Sequence, residues 1–519
     1  MSDGGMAAGG KPCGYGVMFR IAMAFVAISV LVLLAAPVLG LRARIPLDYN
    51  EGWNAYAAMR ALGMGGGPLY PAPGGLIANN YPPLSFFVTG CLGWLLGDMI
   101  VAGRVIALVS LLASAGLAGA IARRCGACGW GALAAVLLPL LYVGAFSHDY
   151  VAMDDPQWSG IAIMLTAVLV FVSGPSDAAG RPVPGAARLV ATAALMVLAG
   201  MVKHNVLSWP AAVTFWLGAG ALTRRDGESW RRLCVWLVGG FGFAALAVGL
   251  CVLAFGPVFL TDLLHHPRVI SPALVLGGAR RTSEILSLGL VALTLAGSGA
   301  RIRNGGLLAW AAFCSIVWSL IQRTGEGVTL NAWFEPLIVL SILTGVALSV
   351  AAGRRCVGRG AASARWVSRI GPAGLLGIAL VPFLIGSWTL LPRGVRQVAD
   401  LNRNVRAWNV FIDDVRREPG EVGCFMSSVC YWAGKDNLID VFNYSEYVAT
   451  GGDETAFRAL LARPDLSGFV LPACFARHCT GRRDAEMRRQ EALLVRITDD
   501  EQAGPLSPDG KLRLYRAVR

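Results

Sequence analysis

Apolar residues run in long blocks over the first three quarters of the chain, broken by short polar connections. After residue 392 the blocks shorten and polar positions intersperse them. A membrane-crossing helix needs about 20 mostly apolar residues. On that measure eleven spans are expected, at 17–40, 100–122, 130–146, 157–173, 188–203, 206–222, 233–255, 285–300, 307–322, 333–352 and 371–391. The first follows Lys11 and Arg20 and is longer than the apolar core of a signal peptide, so it reads as a retained anchor. Residues 84–96 (LSFFVTGCLGWLL) are apolar but only 13 long, a length that suits a re-entrant or interfacial segment.

The tail, 392–519, predicts a small α/β domain. Gly468–Leu471 (GFVL) and Leu493–Ile497 (LLVRI) read as strands, and Glu454–Ala462 reads as a helix. The chain therefore divides into a transmembrane domain over 1–391, with a long first connection at 41–97, and a tail domain over 392–519.

Composition sharpens this reading. Hydrophobic residues make up 55% of the 519 and charged residues only 15%, with a mean hydropathy of +0.58. Soluble domains carry about a quarter charged residues, so a water-soluble enzyme is excluded. The net charge of +13 belongs to membrane topology and anionic lipid rather than to nucleic acid. If 84–96 does not cross, one side collects Lys11, Arg20, Arg123, Arg124, Arg181, Arg188, Arg224, Arg225, Arg231, Arg232, Arg301, Arg303 and the cluster from Arg354 to Arg369. The same side holds only four acidic residues, Asp3, Asp177, Asp226 and Glu228. Basic loops stay cytoplasmic, which puts the N-terminus inside and the tail outside, in the periplasm of a bacterial inner membrane. Cys424, Cys430, Cys474 and Cys479 of the tail would then hold one or two disulfides. Cys125 and Cys128 form a CxxC with no second ligand pair, too little for a zinc site.

Under this topology the chemically capable residues gather on the outer side. The first connection brings Asp48 and Glu51, three apart and on one face of any helix there, along with Trp53, Tyr56, Tyr70 and Tyr81. The second, SHDYVAMDDPQW, brings His148, Asp149, Asp154 and Asp155 to a helix start, where an aspartate also serves as a cap. Lys203 and His204 form a very short third connection, His265, His266 and Arg268 a fourth, and Arg323, Glu326, Asn331 and Glu335 a fifth. Carboxylates in this number suit general acid/base work or a divalent metal with oxygen ligands. No Walker loop, GxGxxG, HExxH or GxSxG competes with them.

Several segments, in order, carry a resemblance: DYNEGW, GGPLY, YPPL and the Arg-led helix GRVIALVSLLASAG, then KHNVLSWP, then GEGVTLNAWFE. This order resembles the GT-C class of integral-membrane glycosyltransferases, whose relatives include protein O-mannosyltransferases, lipid A aminoarabinose transferases and lipopolysaccharide-sugar transferases. The tail stretch from GCFMSSVCYW to GFVL is similar to the small outer domain of bacterial members. The resemblance implies an inverting transfer of a sugar from a polyprenyl-phosphate donor to a periplasmic glycan, lipid or protein. It implies Asp48 as general base and Asp155, with Asp154, as the second-loop acid, while Glu51 is separated from Asp48 by Tyr49 and Asn50 where the mannosyltransferases have a contiguous pair. Lys203 and Arg104 match basic positions facing the donor phosphate, and Glu335 a late-loop acid. The expected catalytic residues are Asp48, Glu51 and Asp155. The expected substrate-binding residues are Arg104, Asp154, Lys203, His204, Asn331, Glu335 and Tyr81. A Mg or Mn ion could sit on Asp48, Asp155 and Glu335. The competing readings are a transporter or lipid flippase, which calls for intraspan charges and matched halves, and a non-catalytic GT-C-like assembly subunit.

Overall fold

The computed structural model describes residues 14–175, 177, 181–300, 302–353, 364–475, 485–494 and 503–516. Asp3, Lys11, Arg301, Arg354, Arg355, Arg359, Cys479 and residues 495–497 lie outside them. The helical part comprises α1 (Val17–Leu39), α2 (Tyr49–Ala61), α3 (Leu84–Leu96), α4 (Met99–Arg124), α5 (Gly129–Phe146), α6 (Gln157–Val172) and α7 (Ala186–Val202). It continues with α8 (Ser208–Arg224), α9 (Gly227–Phe255), α10 (Val258–Leu264), α11 (Ala273–Gly297), α12 (Gly305–Gln322), α13 (Phe334–Ala351) and α14 (Ala364–Arg417). Each of the eleven expected spans falls on one of these helices. Seven helices among the described residues are long and apolar enough to cross a membrane by length and composition, and α3, α6, α7 and the second part of α11 are shorter apolar helices. The protein is a polytopic membrane protein.

The most enclosed span is α13, whose side chains are buried nearly throughout. It packs against α4, α5, α11, α12 and α14, and small residues set the closest approach. Gly131 of α5 meets Gly345 of α13, where an added Cβ on either would fall 2.3 Å from the other's carbonyl oxygen. Such contacts hold membrane helices together by close packing rather than by expulsion of water. By contrast α9 turns most of its apolar residues outward, with Leu253 85% exposed, as a lipid-facing helix does. Helix α14 bends at Gly371, where φ is 71°, a value glycine accepts without steric cost. It then runs on past residue 392 into the tail.

The tail adds β1 (Glu421–Cys424), α15 (Ser427–Ala433), α16 (Val441–Ala449), α17 (Thr455–Leu461), β2 (Leu466–Pro472), α18 (Ala485–Leu494), β3 (Ala503–Leu506) and β4 (Leu512–Arg516). The strands form one sheet in the order β1-β2-β4-β3, with β1 parallel to β2 and the other neighbours antiparallel. The GFVL segment is the centre of β2, and 454–462 contains α17. Leu493 and Leu494, expected in a strand, instead end α18, because a short apolar run fits a buried helix turn as well as a strand. Cys424 and Cys430 form a disulfide, and Cys474 is also disulfide-bonded. Cys125 and Cys128 are in no disulfide.

The small domain rests on the same end of the helix bundle as the first, second, third and fifth connections. Tyr56 donates to the Lys435 carbonyl at 2.6 Å, Trp432 Nε1 to Asp98 at 3.1 Å, and the Met99 N–H to the Tyr431 hydroxyl at 2.8 Å. Gly52 of α2 lies so near α15 that a Cβ there would fall 2.0 Å from the Ser428 nitrogen.

Candidate active site

Helix α2 begins where Asp48, in extended backbone, accepts the Asn50 N–H at 3.0 Å. This is the cap that an aspartate before a helix favours. Glu51 follows in the first turn and is fully buried. It takes two parallel hydrogen bonds from Arg104 of α4, each 2.7 Å long. Arg104 spends its remaining donors on the carbonyls of Ala43 at 2.6 Å, Ile45 at 2.7 Å and Gly40 at 3.5 Å. A fork-on-fork ion pair so completely satisfied is a structural clamp. Arg104, expected to face a donor phosphate, and Glu51, expected to act on substrate, are engaged with each other. Glu51 also accepts the N–H of Leu47 at 3.1 Å and of Asp154 at 3.4 Å. It thereby ties the residue before Asp48 to the residue before Asp155.

The second connection folds against this clamp. Asp155 accepts the Gln157 N–H at 2.7 Å, opening α6, and its other oxygen lies 3.3 Å from Lys203 Nζ. Asp154 is buried against Gly103, where a Cβ would strike its carboxyl, and its Oδ2 has no hydrogen-bond partner. Burial, with Glu51 and Asp155 nearby, pushes its carboxyl well above the usual range. The contacts of both are internal: Asp154 lies against Gly103 and Asp155 against Lys203. Glu335, expected at a loop edge, is buried in α13 with the Ser208 hydroxyl donating to it at 2.5 Å. It meets neither Asp48 nor Asp155 as a ligand set. Among the described residues, no group of three or more His, Cys, Asp or Glu is placed to hold a metal ion.

Two cavities open beside this core. One, of about 350 Å³, is lined by Lys203, His204, Tyr81 and Asn331, all expected substrate-binding residues, and by His266, Arg268, Phe442 and Asn443. Lys203 Nζ sits 3.6 Å from the centre of the Tyr81 ring, a favourable site for a cation removed from water. Burial and the neighbouring Lys203, Arg268 and His266 push His204 down to about 3. It is therefore neutral at pH 7, and its buried Nδ1 has no partner. The buried Oδ1 of Asn331 is likewise unpartnered. The rim of this cavity is apolar: Leu264, Ile270 and Ile321 line it and are 69%, 71% and 52% exposed.

The second cavity, of about 610 Å³, is lined by Asp48, His148, Asp149, Arg323 and Arg393. Removal from bulk water pushes the Asp48 carboxyl up to about 6. The Asn50 N–H opposes the shift, and Glu51, Asp155 and Asp149 add to it. Tyr150 and residues Gly325, Gly327 and Val328 line both cavities. They are the wall between them.

Much of the first cavity's roof comes from the small domain. Phe442 and Asn443 open α16, His266 Nε2 lies 2.8 Å from Asn443 Oδ1, and Glu446 accepts the Val269 N–H at 2.7 Å. Glu326 of the fifth connection pairs with Arg489 of α18. Sequence reasoning missed Phe442 and Asn443, which lie over 200 residues from the nearest connection holding Lys203. Nothing local marks them except that Asp440 is a good helix cap.

A bundle of apolar helices is topped at one end by long carboxylate-bearing connections and a small α/β domain, and this arrangement is a GT-C-like fold. The comparison with solved structures agrees. The chain shares its fold with ArnT from Cupriavidus metallidurans bound to undecaprenyl phosphate, at a TM-score of 0.55 and 16% identity over 97% of this chain and 99% of that one. The apo state of ArnT gives 0.55 and 18% over 96% and 98%. No protein-family model matches the chain, and no curated protein sequence matches it.

Proposed function

We propose that this protein is an inverting glycosyltransferase that moves a sugar from a polyprenyl-phosphate carrier to a hydroxyl on a periplasmic glycan, lipid or protein. The observation that carries the reading is the juxtaposition of the two cavities: one cationic with an apolar rim, the other polar and holding a carboxylate raised to about 6. A lipid-linked phosphate is an anion on an apolar chain, and Lys203 with Arg268 answers the first part while Leu264, Ile270 and Ile321 answer the second. The structural neighbour's contact with undecaprenyl phosphate supports the same assignment. Asp48 then takes the acceptor proton as the acceptor oxygen attacks the anomeric carbon. The bond from that carbon to the phosphate oxygen breaks with its electron pair, and Lys203 stabilises the leaving phosphate. The single displacement inverts the anomeric carbon and uses no covalent intermediate. The side of the membrane follows from the basic loops: the connections that build the site are those opposite the arginine-rich ones.

The test is transfer of radiolabelled sugar from polyprenyl-phosphate donors in proteoliposomes, one sugar at a time, with a cell-envelope acceptor extract. Asp48→Asn keeps the helix cap, since asparagine caps as well as aspartate, but cannot accept a proton. It is expected to lose about 10²- to 10⁴-fold in rate. Lys203→Met is expected to weaken donor binding as well as turnover. Transfer by Asp48→Asn within threefold of wild type removes the general-base assignment, and donor binding unchanged in Lys203→Met removes the phosphate site.

A further inference from the structure

From the wall between the cavities we infer that Tyr150 is a specificity-determining residue whose hydroxyl, bonded to Thr329, keeps water in the Asp48 cavity away from the sugar held in the Lys203 cavity. This rests on the transferase reading above and adds to it how the enzyme chooses an acceptor hydroxyl over water.

The geometry is as follows. Tyr150 lines both cavities and is 8% exposed. Its ring stands edge-on to Phe334, 5.2 Å between centres, and Phe334 stacks on Trp158 at 4.5 Å. Its backbone carbonyl accepts from Trp158 Nε1 at 2.9 Å. Everything about the residue is fixed by packing except the tip, where the hydroxyl lies 2.8 Å from Thr329 Oγ1. That one hydrogen bond joins the second connection to the fifth and closes the wall. Arg323 braces the far side, bonding the Val328 carbonyl.

The Asp48 cavity is open to solvent. Asp149, which lines it, is 51% exposed. Water there, beside a carboxylate able to take its proton, is a competing nucleophile. Its oxygen would bond to the anomeric carbon, the bond from that carbon to the phosphate oxygen would break with its electron pair, and Asp48 would take the water proton. The products would be free sugar and the polyprenyl phosphate. Reacting atoms must approach to about 3–3.5 Å, so acceptor and donor meet only when the tip of Tyr150 moves. An acceptor that fills the polar cavity can displace the tip, whereas single waters cannot hold it open. The closed wall therefore suppresses hydrolysis while the acceptor is absent.

Tyr150→Phe removes the hydroxyl and keeps the ring packing, and Thr329→Val removes the partner at nearly constant volume. A net hydrogen bond contributes about 0.5–1.5 kcal/mol, so each variant is expected to raise acceptor-free release of sugar about 2- to 10-fold. The ratio of released to transferred sugar should rise with it. That ratio is insensitive to the amount of folded protein, and a merely structural role would not move it. Size-exclusion profiles in detergent check that both variants fold. An unchanged ratio in both variants overturns the assignment to Tyr150 while leaving the transferase reading intact. No transfer and no release by wild type with any donor overturns both.

Discussion

The Glu51–Arg104 pair invites the sharpest perturbation, because its partners are all in view. Arg104→Met leaves the Glu51 carboxylate buried with only the Leu47 and Asp154 N–H groups, at 3.1 and 3.4 Å, and strips the Ala43 and Ile45 carbonyls of a donor. Both side chains are at most 2% exposed, so water cannot replace what is lost. Removing one member of a buried pair costs about 3–5 kcal/mol, and that is the expected loss. Glu51→Gln leaves the guanidinium its three carbonyls, so its cost should fall toward the lower end. The double variant Glu51→Gln/Arg104→Met buries no net charge and should be more stable than Arg104→Met alone. The coupling between partners in contact is expected at about 0.5–3 kcal/mol. Chemical unfolding in detergent micelles, followed by tryptophan fluorescence, reads all four corners of the cycle. Additivity within about 0.5 kcal/mol would refute the clamp. The same variants should lower turnover more than stability predicts, since Glu51 sets Leu47 against Asp154 and so registers Asp48 with Asp155. A displacement of about 1 Å can cost about 10²-fold in rate.

Two further predictions follow from the same geometry. Asp48 must be ionised to act as base, and a carboxyl raised to about 6 is protonated below that value. kcat/KM should therefore rise with pH through about 6 and level off above it, and the residual rate of Asp48→Asn should show no such step. A wild-type profile flat from pH 5 to 8 contradicts the assignment. Gly52→Ala would drive a Cβ to 2.0 Å from the Ser428 nitrogen, an overpacking expected to cost about 1–3 kcal/mol and to speed proteolytic release of the small domain. Gly66→Ala, with nothing within 4 Å of the added carbon, should not. Equal rates for the two would dispose of the claimed contact.

The eleven apolar blocks were legible because hydropathy at span length depends on nothing else in the chain. The shortness of 84–96 was equally informative, and the segment forms α3 with Asp98 capping the helix that follows it. Asp48 and Lys203 stand out in the sequence as charges at connection ends, and in the structure both line cavities. The pairing of Arg104 was not legible. Its partner Glu51 is 53 residues away, and no local pattern distinguishes an arginine that waits for a ligand from one already filled. Glu335 stands next to Pro336 and reads as a loop residue, but Ser208 of another helix covers it. Phe442 and Asn443 reach the cavity only through the docking of a separate domain, which sequence spacing does not encode.

That docking has a thermodynamic consequence. Since α16 supplies part of the roof and Glu446 and Asn443 hold the fourth connection in place, seating of the small domain and occupation of the Lys203 cavity are linked equilibria. A ligand that needs the roof raises the population of the seated domain by the same factor by which seating raises its affinity. Saturation at 100 times Kd is worth about 2.7 kcal/mol. The tail is thus a reporter on the Lys203 cavity: its protection from protease, measured in vesicles, titrates the occupancy of a site that is otherwise hard to observe.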